Sequence, residues 1–423
     1  MWKLPETRSE TAFEDYKAPY DTQQALTEAS RCLYCHDAPC IKACPTGIDI
    51  PNFIRKIATG NVKGSARTIF SSNILGASCA RVCPVEVLCV GDCVYNAAGV
   101  PPIQIGRLQR YATDAAVEAG WRFFEAGPSS GKTVALIGAG PASLAAAHEL
   151  RRQGHACVIF EKGQVPGGLN VTGVAPYKLR AEGAKAEMDW LLGIGGIDIR
   201  LGVEVGKDVS WDALQGYDAV FLGVGLGPDR LLGGELAGVH GAVAWIEKMK
   251  LGKVDLGAVR EAIVLGGGNT AIDCVRELLG LGVPGVTMVY RRTEADMSGY
   301  AHEWEAARKY GAKVVWQAAP VAYVGDGAVR AVRCKTPAGE VDLPADLVLV
   351  AIGQAKLGDT LARLGVSVEG GRVVVDASGA TSRKGWFAGG DLANGGKEVV
   401  NAVAEGKRAA AGIHAFLTGG GHA

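Results

Sequence analysis

The chain contains two copies of a strand, a glycine-rich turn and a helix, and this repeat restricts its possible folds more than any other feature. The strand, helix and following strand of the first copy are predicted at 133–137, 141–153 and 157–160. Those of the second copy are predicted at 262–265, 269–279 and 286–290. Two such βαβ units predict an α/β protein with two Rossmann-like dinucleotide-binding domains.

The first turn has the composition of a phosphate-binding loop. Its residues are Gly138, Ala139, Gly140, Pro141, Ala142 and Ser143. The glycines let the backbone approach a pyrophosphate at the helix N-terminus, where the helix dipole favours an anion. Glu161 ends the next strand and is placed to accept hydrogen bonds from a ribose diol. The turn, its strands and this acid together predict a dinucleotide site rather than a tight turn without a ligand.

The second turn repeats this design but differs at the ribose position. Its residues are Gly266, Gly267, Gly268, Asn269 and Thr270. Arg291 and Arg292 follow the next strand, where the first unit has an acid. Two guanidinium groups can hold the 2′-phosphate of NADP. Equally, one can stack on adenine while the other faces solvent, so these residues leave NAD and NADP open.

Two later segments are typical of a flavin site. The first closes a strand with a glycine and consists of Ala351, Ile352 and Gly353. The second is a strand and turn that contains Gly390 and Asp391, and a helix from about Glu398 follows it. The positive end of that helix can point at the electron-rich end of a flavin ring.

Eight of the 11 cysteines lie between Cys32 and Cys93. Their spacing is Cys32-x2-Cys35-x4-Cys40-x3-Cys44-Pro45, Cys79-x3-Cys83-Pro84 and Cys89-x3-Cys93. Such a dense block in a chain without an export signal indicates metal binding rather than disulfides. The short spacings with Cys-Pro closures resemble ferredoxin-type sites, and two sets of four ligands would hold two 4Fe–4S clusters. A pair of structural zinc sites is the alternative, although zinc ribbons usually have two Cys-x2-Cys pairs.

These patterns divide the chain into three parts, with a turn-rich linker at 127–131. We predict a helical iron–sulfur domain over 1–125. An FAD-binding domain follows over 126–245 and 350–423, and an NAD(P)-binding domain lies between its two segments over 246–349.

The charge balance argues against a nucleic-acid or membrane partner. Lys and Arg total 44, as do Asp and Glu, so the formal net charge is zero and there is no broad basic field. No run of about 18 apolar residues is present. The N-terminal residues 1–9 are polar, without an apolar signal core. We therefore expect a soluble cytoplasmic protein.

Several short motifs occur in and after the cysteine region. They are Arg31-Cys32-Leu33-Tyr34-Cys35, Asp37-Ala38-Pro39-Cys40, Cys44-Pro45-Thr46, Cys89-Val90-Gly91-Asp92-Cys93 and Ile105-Gly106-Arg107-Leu108-Gln109. These motifs resemble the N-terminal half of dihydropyrimidine dehydrogenase, and the stretch 387–410 is similar to the separate flavoprotein subunit of the bacterial form of that enzyme. The resemblance covers nearly the whole chain. The glutamate synthase small subunit shares this plan, but usually has Cys-Pro-Leu-Gly where this chain has Cys44-Pro45-Thr46-Gly47.

The resemblance implies ligand roles that spacing alone does not assign. One cluster would be held by Cys32, Cys35, Cys40 and Cys93. The other would be held by Cys44, Cys83, Cys89 and Gln109, which leaves Cys79 without a role although a count of cysteines alone would select it. Flavin-binding roles are implied for Gly168, Leu169, Lys178, Val205, Asp391 and its segment, Glu398 and Val399, and nicotinamide-binding roles for the second turn, both arginines and 351–353. Around Lys178 the chain has Tyr-Lys-Leu-Arg where the family often has Phe-Arg-Leu-Pro.

The function implied by the resemblance is that of an electron-input subunit. It would oxidise NAD(P)H and pass electrons through FAD and two 4Fe–4S clusters to a partner, an FMN barrel with its own ferredoxin motif that reduces uracil or thymine to 5,6-dihydropyrimidines. We expect a hetero-oligomer and no such barrel in this chain. NADH is favoured, because Ser298 stands where NADPH-using relatives carry a third basic residue. No catalytic residue is assigned, since hydride transfer between cofactors requires no protein acid or base.

The main alternative is a glutamate synthase small subunit that feeds electrons to a glutamate-forming large subunit. An electron-bifurcating transhydrogenase subunit and a non-catalytic nucleotide-sensing module are weaker alternatives. Cys274 stands alone beside the second turn, without the Cys-x-x-Cys that thioredoxin reductase chemistry would require.

Overall fold

The structure, a computed structural model, describes residues 2–233 and 236–419. A helical N-terminal region precedes two parallel five-stranded sheets that are flanked by helices. This arrangement confirms the predicted fold class. In the part of the chain that the structure describes, no helix combines the length and apolar character needed to cross a membrane. The last residues of the predicted 350–423 segment, 420–423, lie outside the described residues.

Short helices and loops build the N-terminal region. The helices are α1 (Thr22–Ser30), α2 (Pro39–Lys42), α3 (Ile50–Ala58), α4 (Val62–Ser72), α5 (Gly76–Val82), α6 (Val94–Ala97) and α7 (Ile105–Glu118). In α3, Asp49 caps the N-terminus by accepting from the backbone N–H of Asn52. The buried side chains of α3 follow helical spacing and are Ile50, Phe53, Ile54 and Ile57. This apolar face forms part of a core that the cysteine loops surround.

The first sheet carries the first glycine-rich turn. Its strands are β1 (Thr133–Ile137), β2 (Ala156–Glu161), β3 (Ile197–Leu201), β4 (Ala219–Leu222) and, from the C-terminal segment, Trp386–Ala388. All pair in parallel, with β1 at the centre between β2 and β4. The associated helices are α8 (Pro141–Arg152), α9 (Leu169–Thr172) and α10 (Ala181–Leu192). Because ligands bind at the carboxyl ends of such strands, the turn after β1 marks a binding edge.

The second sheet repeats this arrangement around the second turn. Its strands are β5 (Val239–Gly241), β6 (Glu261–Leu265), β7 (Gly285–Val289), β8 (Lys313–Val315) and β12 (Leu347–Val350). Its helices are α11 (Ala242–Leu251), α12 (Asn269–Gly280) and α13 (Ala301–Lys309). An antiparallel sheet precedes β12 and consists of β9 (Ala319–Asp326), β10 (Ala328–Thr336) and β11 (Gly339–Pro344). The predicted first domain extends to residue 245, whereas β5 pairs with β12 of the second sheet.

The C-terminal segment returns to the first sheet. Its elements are α14 (Gly358–Leu361), β13 (Val368–Glu369), β14 (Arg372–Val373), β15 (Trp386–Ala388), α15 (Asp391–Asn394) and α16 (Val399–Leu417). Helix α16 packs against α8 so closely that a side chain at Gly406 would collide with the backbone of Ala142. This contact sets the N-terminus of α16 beside the N-terminus of α8.

Candidate functional site

The first glycine-rich turn leaves open space at the N-terminus of α8. Gly138 has a φ of +90°, and a Cβ there would lie 2.6 Å from the carbonyl oxygen of Gly223. A Cβ on Gly140, the residue before α8, would meet nothing within 4 Å. Ser143 is fully buried, and its hydroxyl faces the backbone at Gly223. The turn therefore fits a pyrophosphate, because close backbone approach and an uncovered helix N-terminus are what that group requires.

A cavity of about 380 Å³ opens in front of this turn. Its volume lies in the range of ordinary cofactor pockets. The sequence-predicted residues that line it are Gly138, Ala139, Gly140, Pro141, Ala142, Glu161, Gly168, Leu169, Lys178, Asn269, Gly390, Asp391, Glu398 and Val399. The structure thus brings most of the predicted flavin residues together and adds the first residue of α12 from the second turn.

Glu161 stabilises the turn that it follows. Its carboxylate accepts from the backbone N–H of Ala139 at 2.8 Å and from that of Gly163 at 2.7 Å. It also lines the cavity, so its predicted contact with a ribose remains sterically available. Val205 is not among the lining residues described; it forms a bridge with Val209 and packs in an apolar cluster behind the first sheet.

Lys178 connects the two Rossmann units. Its ammonium group lies 2.9 Å from a carboxylate oxygen of Asp273 on α12 and 2.8 Å from one of Glu303 on α13. Burial lowers the pKa of Lys178, but the two carboxylates outweigh that effect and the net pKa is raised. The residue is therefore a fixed cation at the boundary between the two units.

The second turn lies at the same cavity from the other side. Gly266 has a φ of +143°, and its Cα faces the carbonyl of Ala351. A Cβ on Gly267 would lie 2.6 Å from the ring of Tyr290, so these glycines are held close to their neighbours. Asn269 and Gln354 reach the cavity, whereas Gly267, Gly268, Thr270, Ala351, Ile352 and Gly353 are not among its lining residues. The predicted nicotinamide segment therefore contacts the cavity through Asn269.

The ribose end of the second unit contains an acid that sequence reasoning missed. Arg291 and Arg292 are exposed after β7. Hydrogen bonds from Thr293 lower the pKa of Asp296, and the nearby charge of Arg292 lowers it further. Ser298 lies beside the turn, with its hydroxyl 3.4 Å from where a Cβ on Gly268 would be. The Asp296 carboxylate, which accepts from Thr293, adds a negative charge to the exposed loop that follows Arg292.

Acidic side chains line the cavity where the two units meet. Burial raises the pKa of Asp391 and of Glu398, and hydrogen bonds to Asp391 and Glu398 oppose these shifts. The hydroxyl of Tyr300 donates to Oε1 of Glu398 at 2.7 Å. Sequence reasoning missed Tyr300, Asp273 and Glu303, because they approach the flavin-type turn only through tertiary packing.

One set of four cysteines surrounds a small apolar cavity in the N-terminal region. They are Cys32, Cys35, Cys40 and Cys93, the set that the resemblance implies for one cluster. Burial raises the pKa of Cys40 to about 12, and the neighbouring thiols add to this shift. Tyr34, between the first two cysteines, has a φ of +51° that turns the loop. Four thiols around one cavity fit a metal cluster, since bound metal stabilises thiolates.

The remaining cysteines of the block form a second set. A hydrogen bond with Cys79 raises the pKa of Cys83 most, and burial and the neighbouring Cys89 and Cys44 raise it further. Burial, followed by Cys44 and Cys40, raises the pKa of Cys89 to about 12. Among the described residues, no three His, Cys, Asp or Glu side chains are arranged to hold a single metal ion.

Gln109, the implied non-cysteine ligand, is buried against α5, the helix that ends before Cys83. Its Nε2 donates to the carbonyl oxygen of Gly76, the first residue of α5, at 2.7 Å. Cys79 is also buried, one turn along the same helix. Cys79 forms a hydrogen bond with Cys83, whereas Gln109 contacts the first residue of the helix that ends before Cys83, and the choice between them remains a prediction.

Two Rossmann-type turns facing one cavity, next to a domain with clustered thiols, define a class of protein. It is the class of flavin- and pyridine-nucleotide-dependent oxidoreductases with an iron–sulfur domain. Residues 132–406 match the pyridine nucleotide–disulphide oxidoreductase family, and residues 8–121 match the family described as dihydropyrimidine dehydrogenase domain II, 4Fe–4S cluster.

Individual proteins show the same relationship. The chain is 38% identical to the NAD-dependent dihydropyrimidine dehydrogenase subunit PreT of Escherichia coli K12, over 93% of this chain and 95% of that protein. It is 35% identical to the glutamate synthase [NADPH] small chain of the same organism, over 96% and 94%. T. acidophilum thioredoxin reductase shares the fold of 67% of this chain and 97% of its own, with a TM-score of 0.55 and 24% identity.

The chain therefore belongs to the pyridine nucleotide–disulphide oxidoreductase family, and within it to the flavoprotein subunits with an N-terminal 4Fe–4S domain. The two family matches imply FAD and NAD(P) for residues 132–406 and an iron–sulfur centre for residues 8–121. This membership confirms the resemblance identified from the sequence.

Proposed function

We propose that this chain is the electron-input subunit of an NAD-dependent dihydropyrimidine dehydrogenase. It binds NAD(P)H at the second glycine-rich turn, FAD at the first and two 4Fe–4S clusters at the two cysteine sets. A partner subunit with an FMN barrel receives the electrons and reduces uracil or thymine to the 5,6-dihydropyrimidine. The relatives named as subunits of that enzyme, PreT, support this proposal.

One observation supports the electron path most directly. Val82 and Pro84, on either side of Cys83, line the same cavity as both glycine-rich turns. A cluster held at Cys83 would therefore lie next to the cofactor cavity. FAD supplies the conversion between a two-electron hydride and one-electron clusters. The chain's own residues position the cofactors and separate them from water.

The second set of thiols continues towards the first. Cys40, from the first set, is near enough to Cys89 in the second to contribute to its raised pKa, so the two sets are neighbours. Leu33 lines the cavity of the first set and is 60% exposed. Cys32 and Cys40 of the first set are also less deeply buried than Cys83 and Cys89 of the second, and we propose that electrons leave the chain at the first set.

The first experiment measures the cofactors. Anaerobically purified protein should contain one FAD and about eight iron atoms per chain, because two four-iron clusters are proposed. Addition of NADH should bleach the flavin band and then the broad cluster absorbance. Stoichiometric zinc with little iron would contradict the cluster assignment, and an unbleached flavin would contradict the hydride donor.

The second experiment separates the two candidate reactions. The glutamate synthase small chains match the chain almost as well as PreT does, so they define the second candidate. The chain is mixed with an FMN-barrel pyrimidine subunit or with a glutamate synthase large subunit. NADH-dependent loss of uracil with the first partner supports the proposal. Glutamate formation with the second partner and no loss of uracil with the first would reassign the chain.

A further inference from the structure

Tyr300 links the two cofactor-binding units through both its backbone and its side chain. Its backbone N–H donates to Oδ1 of Asn269 at 2.9 Å, and Asn269 is the first residue of α12 after the second glycine-rich turn. Its hydroxyl donates to Oε1 of Glu398 at 2.7 Å, and Glu398 directly precedes α16 of the first unit. All three residues line the cavity. A ligand that contacts Asn269 would therefore touch a residue that Tyr300 connects directly to Glu398 of the first unit.

This junction lies where a nicotinamide ring would have to enter. The pyrophosphate of a dinucleotide belongs at the N-terminus of α12, where Asn269 is located. Hydride transfer requires the nicotinamide to reach the flavin in the cavity that both turns share. The wall between the turns is formed by Asn269, Asp273, Tyr300 and Glu398. The hydrogen bond between Tyr300 and Glu398 thus joins two residues that line this cavity.

Glu398 is suited to recognise the carboxamide of nicotinamide. A carboxylate only accepts hydrogen bonds, and the carboxamide carries an NH₂ donor. In the structure, this carboxylate accepts a hydrogen bond from the hydroxyl of Tyr300. A hydrogen bond between a charged acceptor and a new donor can replace it without leaving a buried charge unpaired.

On the basis of the proposed function, we propose that Tyr300 is a positioning residue for nicotinamide. Its hydroxyl holds Glu398 in the free protein. When the dinucleotide binds, the carboxamide NH₂ takes the place of the hydroxyl on Glu398, and the phenol ring moves off the entry to the flavin. The exchange orients the nicotinamide ring through its carboxamide.

The exchange makes a prediction about affinity that a purely structural role does not make. Tyr300→Phe keeps the ring but removes the competing hydroxyl, so it destabilises the free state and not the bound state. NAD⁺ should bind the FAD-loaded variant about three- to tenfold more tightly than wild type, the range expected for one net hydrogen bond. Calorimetric titration measures this without turnover. Tyr310→Phe, next to the other end of α13, is the matched control and should leave affinity unchanged. Weaker or equal binding in Tyr300→Phe would overturn the proposal.

A second measurement tests the partner of Glu398. The acetylpyridine analogue of NAD⁺ has a methyl group in place of the carboxamide NH₂ and cannot donate. Wild type should bind it about tenfold or more weakly than NAD⁺, because it leaves a buried acceptor unpaired. In Glu398→Ala, this ratio should fall to about one. A ratio that persists in Glu398→Ala would show that another group recognises the carboxamide, and the proposal would fail even if that variant folds less well.

The two levels of inference fail separately. If FAD-loaded wild type binds neither NAD⁺ nor NADH, the proposed function fails. If it binds NAD⁺ but the Tyr300→Phe affinity and the analogue ratio do not change as stated, only the role of Tyr300 and Glu398 fails.

Discussion

Gln109 and Cys79 are the two residues that compete for one position on the proposed second cluster. The Nε2 atom of Gln109 donates to the carbonyl oxygen of Gly76, which leaves the amide oxygen of Gln109 as the atom able to bind iron. Cys79 forms a hydrogen bond with Cys83, which the same cluster would replace by metal ligation.

Substitution distinguishes these two residues. If Gln109 is the ligand, Gln109→Ala should disturb one cluster and lower the iron content towards about four per chain, with FAD retained. Cys79→Ser should then leave both clusters intact. Iron analysis and low-temperature electron paramagnetic resonance of the reduced protein measure the outcome. The reverse pattern would identify Cys79 as the ligand and contradict the role carried over from the family resemblance.

Nucleotide choice also depends on single residues. NADH should be used at least as well as NADPH, because Asp296 lies near Arg292 and Ser298 provides no third charge. Ser298→Arg should lower the KM for NADPH by roughly tenfold to a hundredfold, since one charge-assisted contact contributes about 1.5–3 kcal/mol. Ala295→Arg, exposed on the same loop, is the control for a general change in charge. A strong preference of wild type for NADPH that Arg292→Ala abolishes would contradict this expectation.

At the scale of elements, α10 of the first Rossmann unit caps a helix of the cysteine region. The carboxylate of Glu187 on α10 accepts from the backbone N–H of Ala77 at 2.6 Å and of Ser78 at 2.9 Å, both at the start of α5. It also accepts from the Ser78 hydroxyl. Burial raises the pKa of Glu187 to about 7, although hydrogen bonds from Ser78 and Ala77 oppose the shift. This cap fixes the helix that leads to Cys83.

The raised pKa of Glu187 predicts a pH-dependent stability. The folded protein retains this proton up to about pH 7, whereas the unfolded chain releases it near its ordinary value of 4.5. The stability it contributes is therefore present at low pH and lost as pH rises towards 7. Between pH 5 and 8, the unfolding free energy of wild type should fall by about 2–3 kcal/mol relative to Glu187→Gln. Urea denaturation measures the difference, and Glu182→Gln, more exposed on α10, should track wild type. Parallel pH profiles for Glu187→Gln and wild type would show that Glu187 is not the titrating group.

The elements around the cofactors were accessible to sequence reasoning because each has a local signal. The pattern predicts a helix at 141–153 and the structure has Pro141–Arg152; it predicts a strand at 262–265 and the structure has Glu261–Leu265. Apolar runs bounded by glycine-rich turns specify such boundaries without tertiary information. By contrast, Val239–Gly241 is too short to show a period, and only its pairing with β12 assigns it to the second sheet.

The cavity residues missed by the sequence share a different property. Asp273 lies in α12 and Glu303 in α13, and acidic side chains on helices are mostly exposed to solvent. No local pattern indicates that Lys178 pairs with both. Tyr300 directly precedes α13 in one unit, and its hydroxyl donates to Glu398, 98 positions later in the other. These contacts depend on how the two Rossmann units dock, which no periodicity encodes.

At the scale of the whole molecule, three parts meet around one cavity. Val82 and Pro84 come from the cysteine region, the first turn from one Rossmann unit and Asn269 from the other. His302 on α13 also lies 3.5 Å from Glu86, in the loop between Cys83 and Cys89. On the proposed function, the order of the sites along the molecule would be nucleotide, flavin, second cysteine set and first cysteine set.

This order predicts that electron transfer to the partner can be lost while electron transfer to artificial acceptors is partly kept. Cys35 belongs to the first set, which is proposed to be the exit, so Cys35→Ala should remove the outer cluster and leave the flavin in place. With an FMN-barrel partner, the variant should lose NADH-dependent uracil reduction. It should keep part of the reduction of ferricyanide or a tetrazolium dye, because an artificial acceptor can take electrons directly from the flavin or the inner cluster. Cys334→Ala, which alters a buried thiol in β10 outside both sets, should retain both activities.

Alone, the wild-type chain should reduce the dyes but not uracil. Turnover of uracil by the isolated chain, or by Cys35→Ala with the partner, would contradict an exit through the first cysteine set.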